Sequence, residues 1–128
     1  MTKLQEAPSM AADARIQTLR RSLPPEGTAH ELAQVFGLMS DPHRLRLLLT
    51  LLTGGEVPVG DLAAATGQSM SSTSHSLRLL RMQHIVDVRR SGRQAYYRLA
   101  DTHVRLLLDV ALTHSRHAPT TTPLEGGS

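Results

Sequence analysis

Four residues near the end of this chain have the types and spacing of metal ligands: Asp101, His103, His114 and His117. The run from Asp101 to His117 reads as one helix. At about 1.5 Å rise per residue it holds His103 and His114 roughly 16 Å apart on one face, beyond the reach of a single ion. His114 and His117 stand at i, i+3, close enough to chelate together, while Asp101 and His103 share the opposite end. Each end is therefore half a site. Two copies of the helix crossing antiparallel in an isologous dimer would complete two symmetry-related four-ligand sites. Three imidazoles and a carboxylate suit zinc or cobalt, and a filled tetrahedron leaves no open position for catalysis, so the expectation is a sensor or a staple. The competing reading is that a helix end gathers histidines for solubility and for its dipole.

The elements that must position these ligands are bounded by composition. At 128 residues the chain is expected to form one core, and with no cysteine it has neither disulfides nor thiolate metal sites. No apolar signal core opens the sequence, and the run Leu47 to Leu52 is too short to span a bilayer, so a cytoplasmic protein is expected, with no membrane partner. The net charge of +3 is unevenly spread. Between Ser71 and Ala100 six arginines (Arg78, Arg81, Arg89, Arg90, Arg93, Arg98) face a single acid, Asp87, a local charge of +5. That concentration points to phosphate, against the plainer reading of a solvated basic face.

Residues 1–27 are expected to form an arm with a first helix from about Ser9 to Arg21, burying Ala12, Ile16 and Leu19, and stopped by Pro24 and Pro25. Thr28 and Glu31 form a capping-box signal for a helix carrying Leu32, Val35, Phe36 and Met39. Ser40 or Asp41 caps the next helix, whose Leu45, Leu48, Leu49 and Leu52 are expected in the core before Gly54 and Gly55 end it. A short extended piece at Val57 to Val59 precedes a stubby helix from Asp61 closed by Gly67. Ser69 then caps a longer helix to about Met82. Two helices joined by a tight glycine turn are the helix-turn-helix pattern, whose second helix enters the major groove.

That second helix has two faces. Thr73, Leu77 and Leu80 repeat at core spacing, while Ser71, Ser74, His75 and Arg78 line the other side, short and dense in hydrogen-bonding groups. Serine is a poor choice for a merely solvated helix, so this face is expected to touch DNA, with Arg78 on phosphate or guanine. Ile85 to Arg90 and Arg93 to Leu99 flank Ser91-Gly92 as a β-hairpin, with Arg89, Arg90 and Arg93 crowding its tip, which suits a wing lying along or in the minor groove. The last helix adds an apolar stripe, Val104, Leu107, Leu108, Ala111 and Leu112, for a partner helix, and residues 118–128, rich in Pro, Thr and Gly, are expected to be a disordered tail.

The segments Pro58 to Gly67, Ser71 to Arg81 and Arg89 to Leu99, with Ser74-His75 before Leu77-Arg78 and Asp-x-His followed by His-x-x-His on the last helix, resemble the ArsR/SmtB family of bacterial metal-responsive repressors. The likeness spans roughly residues 31–117. It implies a mainly α chain with a β-hairpin, a homodimeric winged helix-turn-helix over 28–117. Such a dimer binds palindromic operator DNA when metal-free and is released by zinc or cobalt held across the interface by Asp101, His103, His114 and His117. In the zinc/cobalt subgroup a ligand histidine also donates its far ring nitrogen to a carbonyl near the end of the recognition helix, a pair matched here by His114 and the carbonyl of His84. The cysteine-rich stretch of other members is absent. No histidine precedes His30 or follows His117, which argues against the six-coordinate pattern of nickel sensors.

Two further readings stand beside this one. The first is a same-fold regulator responding to nickel or to a non-metal signal, its histidines structural. The second is a small zinc hydrolase, disfavoured because no His-Glu-x-x-His helix is present and Asp109, the only acid inside the last helix, is badly placed to serve as a base for His114. No enzyme and no small-molecule substrate are expected. His30 and His43 are assigned no ligand role.

Overall fold

The computed structural model describes residues 9–117, for His117 the backbone alone. Contacts divide the chain between Gln34 and Val35. In the first unit, helix α1 (Met10–Ser22) starts where Ser9 caps it by accepting the Ala12 N–H at 3.1 Å. None of its residues is buried, and Ile16 and Leu19, expected on a covered side, are exposed. Helix α2 (Glu26–Met39) begins two residues before Thr28, so the expected capping box is not used. The chain is already helical after Pro25, whose carbonyl accepts the Thr28 N–H at 2.9 Å. Leu32 and Phe36 of the expected apolar face are half exposed, whereas Val35 and Met39 join the core of the second unit.

Helix α3 (Pro42–Gly54) is capped by Asp41, whose Oδ2 accepts the Arg44 N–H at 3.0 Å, with Pro42 in its first turn. Leu47, Leu48 and Leu51 are fully buried, while Leu45, Leu49 and Leu52 are only partly so. The expected core set is thus corrected by a rotation of the helix. Almost every position from 45 to 52 is leucine, so helical spacing alone does not fix which leucines face inward. The helix stops at Gly54, where a Cβ would lie 2.7 Å from Val57 Cγ2.

Strand β1 (Val57–Pro58) leads into α4 (Val59–Thr66), then α5 (Met70–Met82), strands β2 (Val86–Ser91) and β3 (Gln94–Leu99), and α6 (Thr102–His117). The hairpin is present as expected, but the sheet has a third strand: β1 pairs antiparallel with β3, Val57 opposite Tyr97, giving the order β1-β3-β2. One core joins Leu47, Leu48 and Leu51 to Leu62, Leu77, Leu80, Ile85, Val86, Leu99 and Leu108. Helix α6 is anchored by Leu108, 3% exposed, with Val104 packed beside it, and by Arg105, whose Nη1 donates to the Leu52 carbonyl at 3.1 Å near the end of α3. The tail expected from 118 onward, and the part of the expected arm before Ser9, lie outside the described residues.

Candidate DNA-binding surface and metal-ligand helix

The turn between α4 and α5 is fixed by local chemistry. Gly67 takes a left-handed backbone, φ 70°, and its N–H reaches the Ala63 and Ala64 carbonyls, closing α4. Gln68 N–H bonds the Ala63 carbonyl at 3.0 Å, and Ser69 caps α5 by accepting the Ser72 N–H at 3.0 Å. A side-chain chain braces the same corner: Gln68 Nε2 donates to His43 Nδ1 at 2.6 Å, and Ser72 donates to Gln68 Oε1 at 3.2 Å. His43, given no ligand role, thus ties the start of α3 to the start of α5.

On α5 the two faces fall where the spacing puts them. Thr73, Ser76, Leu77 and Leu80 are buried; Ser71, His75 and Arg78 are exposed and Ser74 is half-buried. Between α5 and the hairpin lies a cleft of about 520 Å³ whose lining includes Ser74, Arg78, Arg81, Arg90 and Arg93. Four guanidinium groups around one cleft make a strongly anion-attracting surface. Arg81 belongs to this group although attention to the serine-histidine face passes over it. Its signal in the sequence is its place three residues after Arg78, on the next turn of the same helix.

The three arginines of the hairpin do not act as one set. Side chains alternate along a strand, so Arg90, opposite Ala95, shares a face with Val88 and Tyr97 and lines the cleft. Arg89, opposite Tyr96, points to the other face, where its Nη2 lies 2.9 Å from Glu56 Oε1 and its guanidinium stands 4.8 Å from the Tyr96 ring centre. Arg89 hydrogen-bonds Glu56 and so holds that carboxyl below the usual carboxylate range, with its own charge and that of Arg98 adding to the effect.

Helix α6 carries the candidate ligands. Asp101 Oδ1 accepts the Val104 N–H at 3.0 Å, capping the helix, and lies 3.8 Å from His103 Nδ1. That pair is brought together and faces solvent; the His114 side chain is exposed at the far end, and that of His117 lies outside the description. Among the described residues no three histidine or carboxylate side chains of one chain gather into a metal cluster. The apolar stripe expected on α6 divides. Val104, Leu108 and Leu112 turn toward the core side, and the exposed ridge is Leu106, Leu107 and Val110, of which Leu106 and Val110 were not expected. His84, in the turn after α5, is left-handed at φ 59°, with its N–H on the Arg81 carbonyl and the Ile85 N–H on the Leu80 carbonyl, both at 2.9 Å.

Residues 41–88, the span from α3 to the start of β2, match the family model described as "Bacterial regulatory protein, arsR family". The chain is 45% identical over 89 residues to the HTH-type transcriptional regulator NmtR of Mycobacterium tuberculosis, covering 70% of this chain and 73% of that protein. It is 37% identical over 86 residues to a cadmium resistance transcriptional regulatory protein CadC homologue of Staphylococcus aureus, covering 67% and 71%. Among solved structures it is similar to the homodimeric winged helix-turn-helix DNA-binding domain Mb0332 of Mycobacterium bovis, a possible ArsR-family regulator, with TM-score 0.65, 26% identity, and coverage of 77% of this chain and 98% of that one. The chain belongs to the arsR family of bacterial regulatory proteins. It is accordingly a winged helix-turn-helix transcription regulator whose partner is operator DNA, and not an enzyme. Among the described residues no helix is long and apolar enough to cross a membrane.

Proposed function

We propose that this chain is a cytoplasmic, metal-sensing repressor that binds palindromic operator DNA as a metal-free homodimer and lets go when zinc or cobalt is held between its two copies. The observation that carries the reading is the layout of α6. Asp101 and His103 sit at its start, His114 and His117 at its end, and an exposed ridge of Leu106, Leu107 and Val110 lies between them. A ridge of large apolar side chains open to water favours burial against a partner. The homodimeric Mycobacterium bovis domain supplies a precedent for a second copy as that partner, and the cadmium resistance homologue supplies one for a metal signal.

The donor set suits the ion. Asp101 uses Oδ1 on the Val104 N–H and keeps its other oxygen, and His103 is almost wholly exposed, so neither must break a core contact to turn outward. A bound zinc or cobalt ion would supply four-coordinate closure, joining Asp101 and His103 of one copy to His114 and His117 of the other. Within the chain, His114 then has a ring nitrogen left to donate to the His84 carbonyl, whose position is set by the tight turn that ends α5. In that way an event on α6 reaches the recognition helix. Ser71, Ser74, His75 and Arg78 of α5 and Arg90 and Arg93 of the wing are the proposed DNA contacts, with Arg81 added on the cleft wall.

Cobalt(II) titration followed by visible absorption, with dimer mass measured alongside, tests the metal half of this reading without knowledge of the operator. Saturation near one ion per chain with intense tetrahedral bands is expected, and both should be lost in His103→Ala and His114→Ala. Weak six-coordinate bands would move the reading to nickel. Absence of binding would leave a DNA-binding regulator with a non-metal signal.

A further inference from the structure

The basic hairpin is electrostatically two-sided. On the face that meets α5, Arg90 and Arg93 line the cleft, and among the described residues no ion pair holds either of them. On the opposite face Glu56, Arg89, Arg98 and Asp87 form a chain of ion pairs: Glu56 to Arg89 at 2.9 Å, Glu56 to Arg98 at 3.5 Å, Arg98 to Asp87 at 4.0 Å. Two acids and two bases cancel, so this face offers no net charge to a phosphate backbone. Its geometry is that of a strap. Glu56 directly precedes β1, at one edge of the sheet; Arg98 is on the central strand β3, and Arg89 is on β2 at the other edge. The carboxylate therefore reaches across the central strand, and Arg89 grips it with Nε at 3.2 Å from both oxygens and Nη2 at 2.9 Å from one. The guanidinium is also stacked over the Tyr96 ring.

We infer that Glu56 and Arg89 are positioning residues for DNA binding: their clasp sets the angle at which the hairpin presents Arg90 and Arg93, and Arg89 itself does not contact phosphate. A two-stranded hairpin twists and flexes easily. Tying its outer strand to the loop after α3 holds it against the rigid part of the molecule.

The test uses the full-length chain without metal and a fluorescent duplex chosen by that chain from a random library. Affinity is measured over a series of salt concentrations for the parent, Arg90→Ala, Arg89→Ala, Glu56→Ala, Glu56→Gln and the Glu56→Ala/Arg89→Ala double variant. Each lost phosphate contact should lower the slope of log affinity against log salt by about 0.9, which is the expected result for Arg90→Ala. Arg89→Ala and Glu56→Ala should each weaken binding about three- to fivefold, a loss of the size a networked surface pair produces, with the parental salt slope. The double variant should be no weaker than either single one, because both remove the same clasp. Glu56→Gln, which keeps the shape and loses the charge, should fall between parent and Glu56→Ala.

Three results would overturn the inference: a slope lowered by about 0.9 in Arg89→Ala, unchanged affinity in Glu56→Ala, or tighter binding in Glu56→Ala. The last is what a direct contact predicts, since removing the acid would free Arg89 for phosphate. An unchanged slope in Arg90→Ala would instead count against the wing as a phosphate contact, and is read separately.

Discussion

Replacing His84 by glycine should stabilise the folded chain by roughly 0.5–1 kcal/mol. His84 is the one non-glycine residue with positive φ among those described, at 59°, and its side chain is exposed. Left-handed backbone costs an L-residue about 1–2 kcal/mol because Cβ crowds the next carbonyl oxygen. Glycine removes that cost and returns roughly 0.5–1 kcal/mol through the greater freedom of the unfolded chain. The hydrogen bonds that shape the turn, His84 N–H to the Arg81 carbonyl and Ile85 N–H to the Leu80 carbonyl, belong to the backbone and survive the change. Urea unfolding at one fixed protein concentration, needed because a dimer's stability depends on it, should show the midpoint raised by a few tenths of a molar, given slopes of about 1–3 kcal/mol per molar. A midpoint equal to or below the parent's would refute the reasoning, because the imidazole would then be contributing at least what the strain costs. The same variant keeps the carbonyl proposed to receive His114, so cobalt should still release it from DNA. Loss of that release would assign the coupling to the imidazole.

Thr73→Val should raise the thermal midpoint: Thr73 Oγ1 is fully buried with no hydrogen-bond partner among the described residues, and an unpaired buried hydroxyl costs about 1–3 kcal/mol, whereas valine keeps the branched shape. A lower midpoint would mean that the hydroxyl has a partner. Asp101→Asn should leave stability within about 0.5 kcal/mol, since asparagine caps a helix as well as aspartate, yet weaken cobalt binding by about tenfold or more because a neutral amide is a poorer ligand; equal cobalt affinity would remove Asp101 from the ligand set. The Glu56 carboxyl is held below its ordinary 4.5 by the hydrogen bond and charge of Arg89. Its contribution to stability is therefore complete above that value and is lost as pH falls through the lower folded value. Urea midpoints measured across this acid range should fall less steeply in Glu56→Gln than in the parent, and parallel curves would show that the clasp adds nothing to stability.

What the sequence made legible is local. Ser69 is read correctly as a cap, and the α3 cap is narrowed to Ser40 or Asp41, of which the structure uses Asp41, because a cap needs only the three residues that follow it; Gly67 is legible because only glycine takes its left-handed turn without strain. The two faces of α5 are legible because polar and apolar positions alternate cleanly there. Phase fails where the pattern is saturated: with leucine at six of the eight positions from 45 to 52, several rotations of α3 satisfy the spacing equally, and packing against Leu62 and Leu77 selects one. The extended piece expected at Val57 to Val59 is present as strand β1 over its first two residues, but its pairing with Tyr97 and Tyr96 has no local signal. The Glu56 clasp joins residues 33 positions apart and has no local signal at all. The separation of Arg89 from Arg90 did have one, the two-residue period of a strand, which grouping the arginines by their place at the hairpin tip overrides.

A common arrangement runs through these sites. Thr73 is buried beside Ser74, Leu77 beside Arg78, and Leu108 beside the exposed Leu107. On β2 the clasped Arg89 stands beside Arg90 of the cleft. Ser74, Arg78, Leu107 and Arg90 each stand next to a side chain that is fixed in place, because neighbouring positions on a helix or strand point in different directions. A buried or clasped neighbour immobilises the backbone from which the functional side chain projects, so little ordering remains to be done when the partner arrives. Asp101 caps α6, His103 lies in its first turn next to Val104, which packs on the core, and the His114 side chain is exposed near the other end. The centre of α6 is tied to α3 by Arg105, whose guanidinium donates to the Leu52 carbonyl at 3.1 Å.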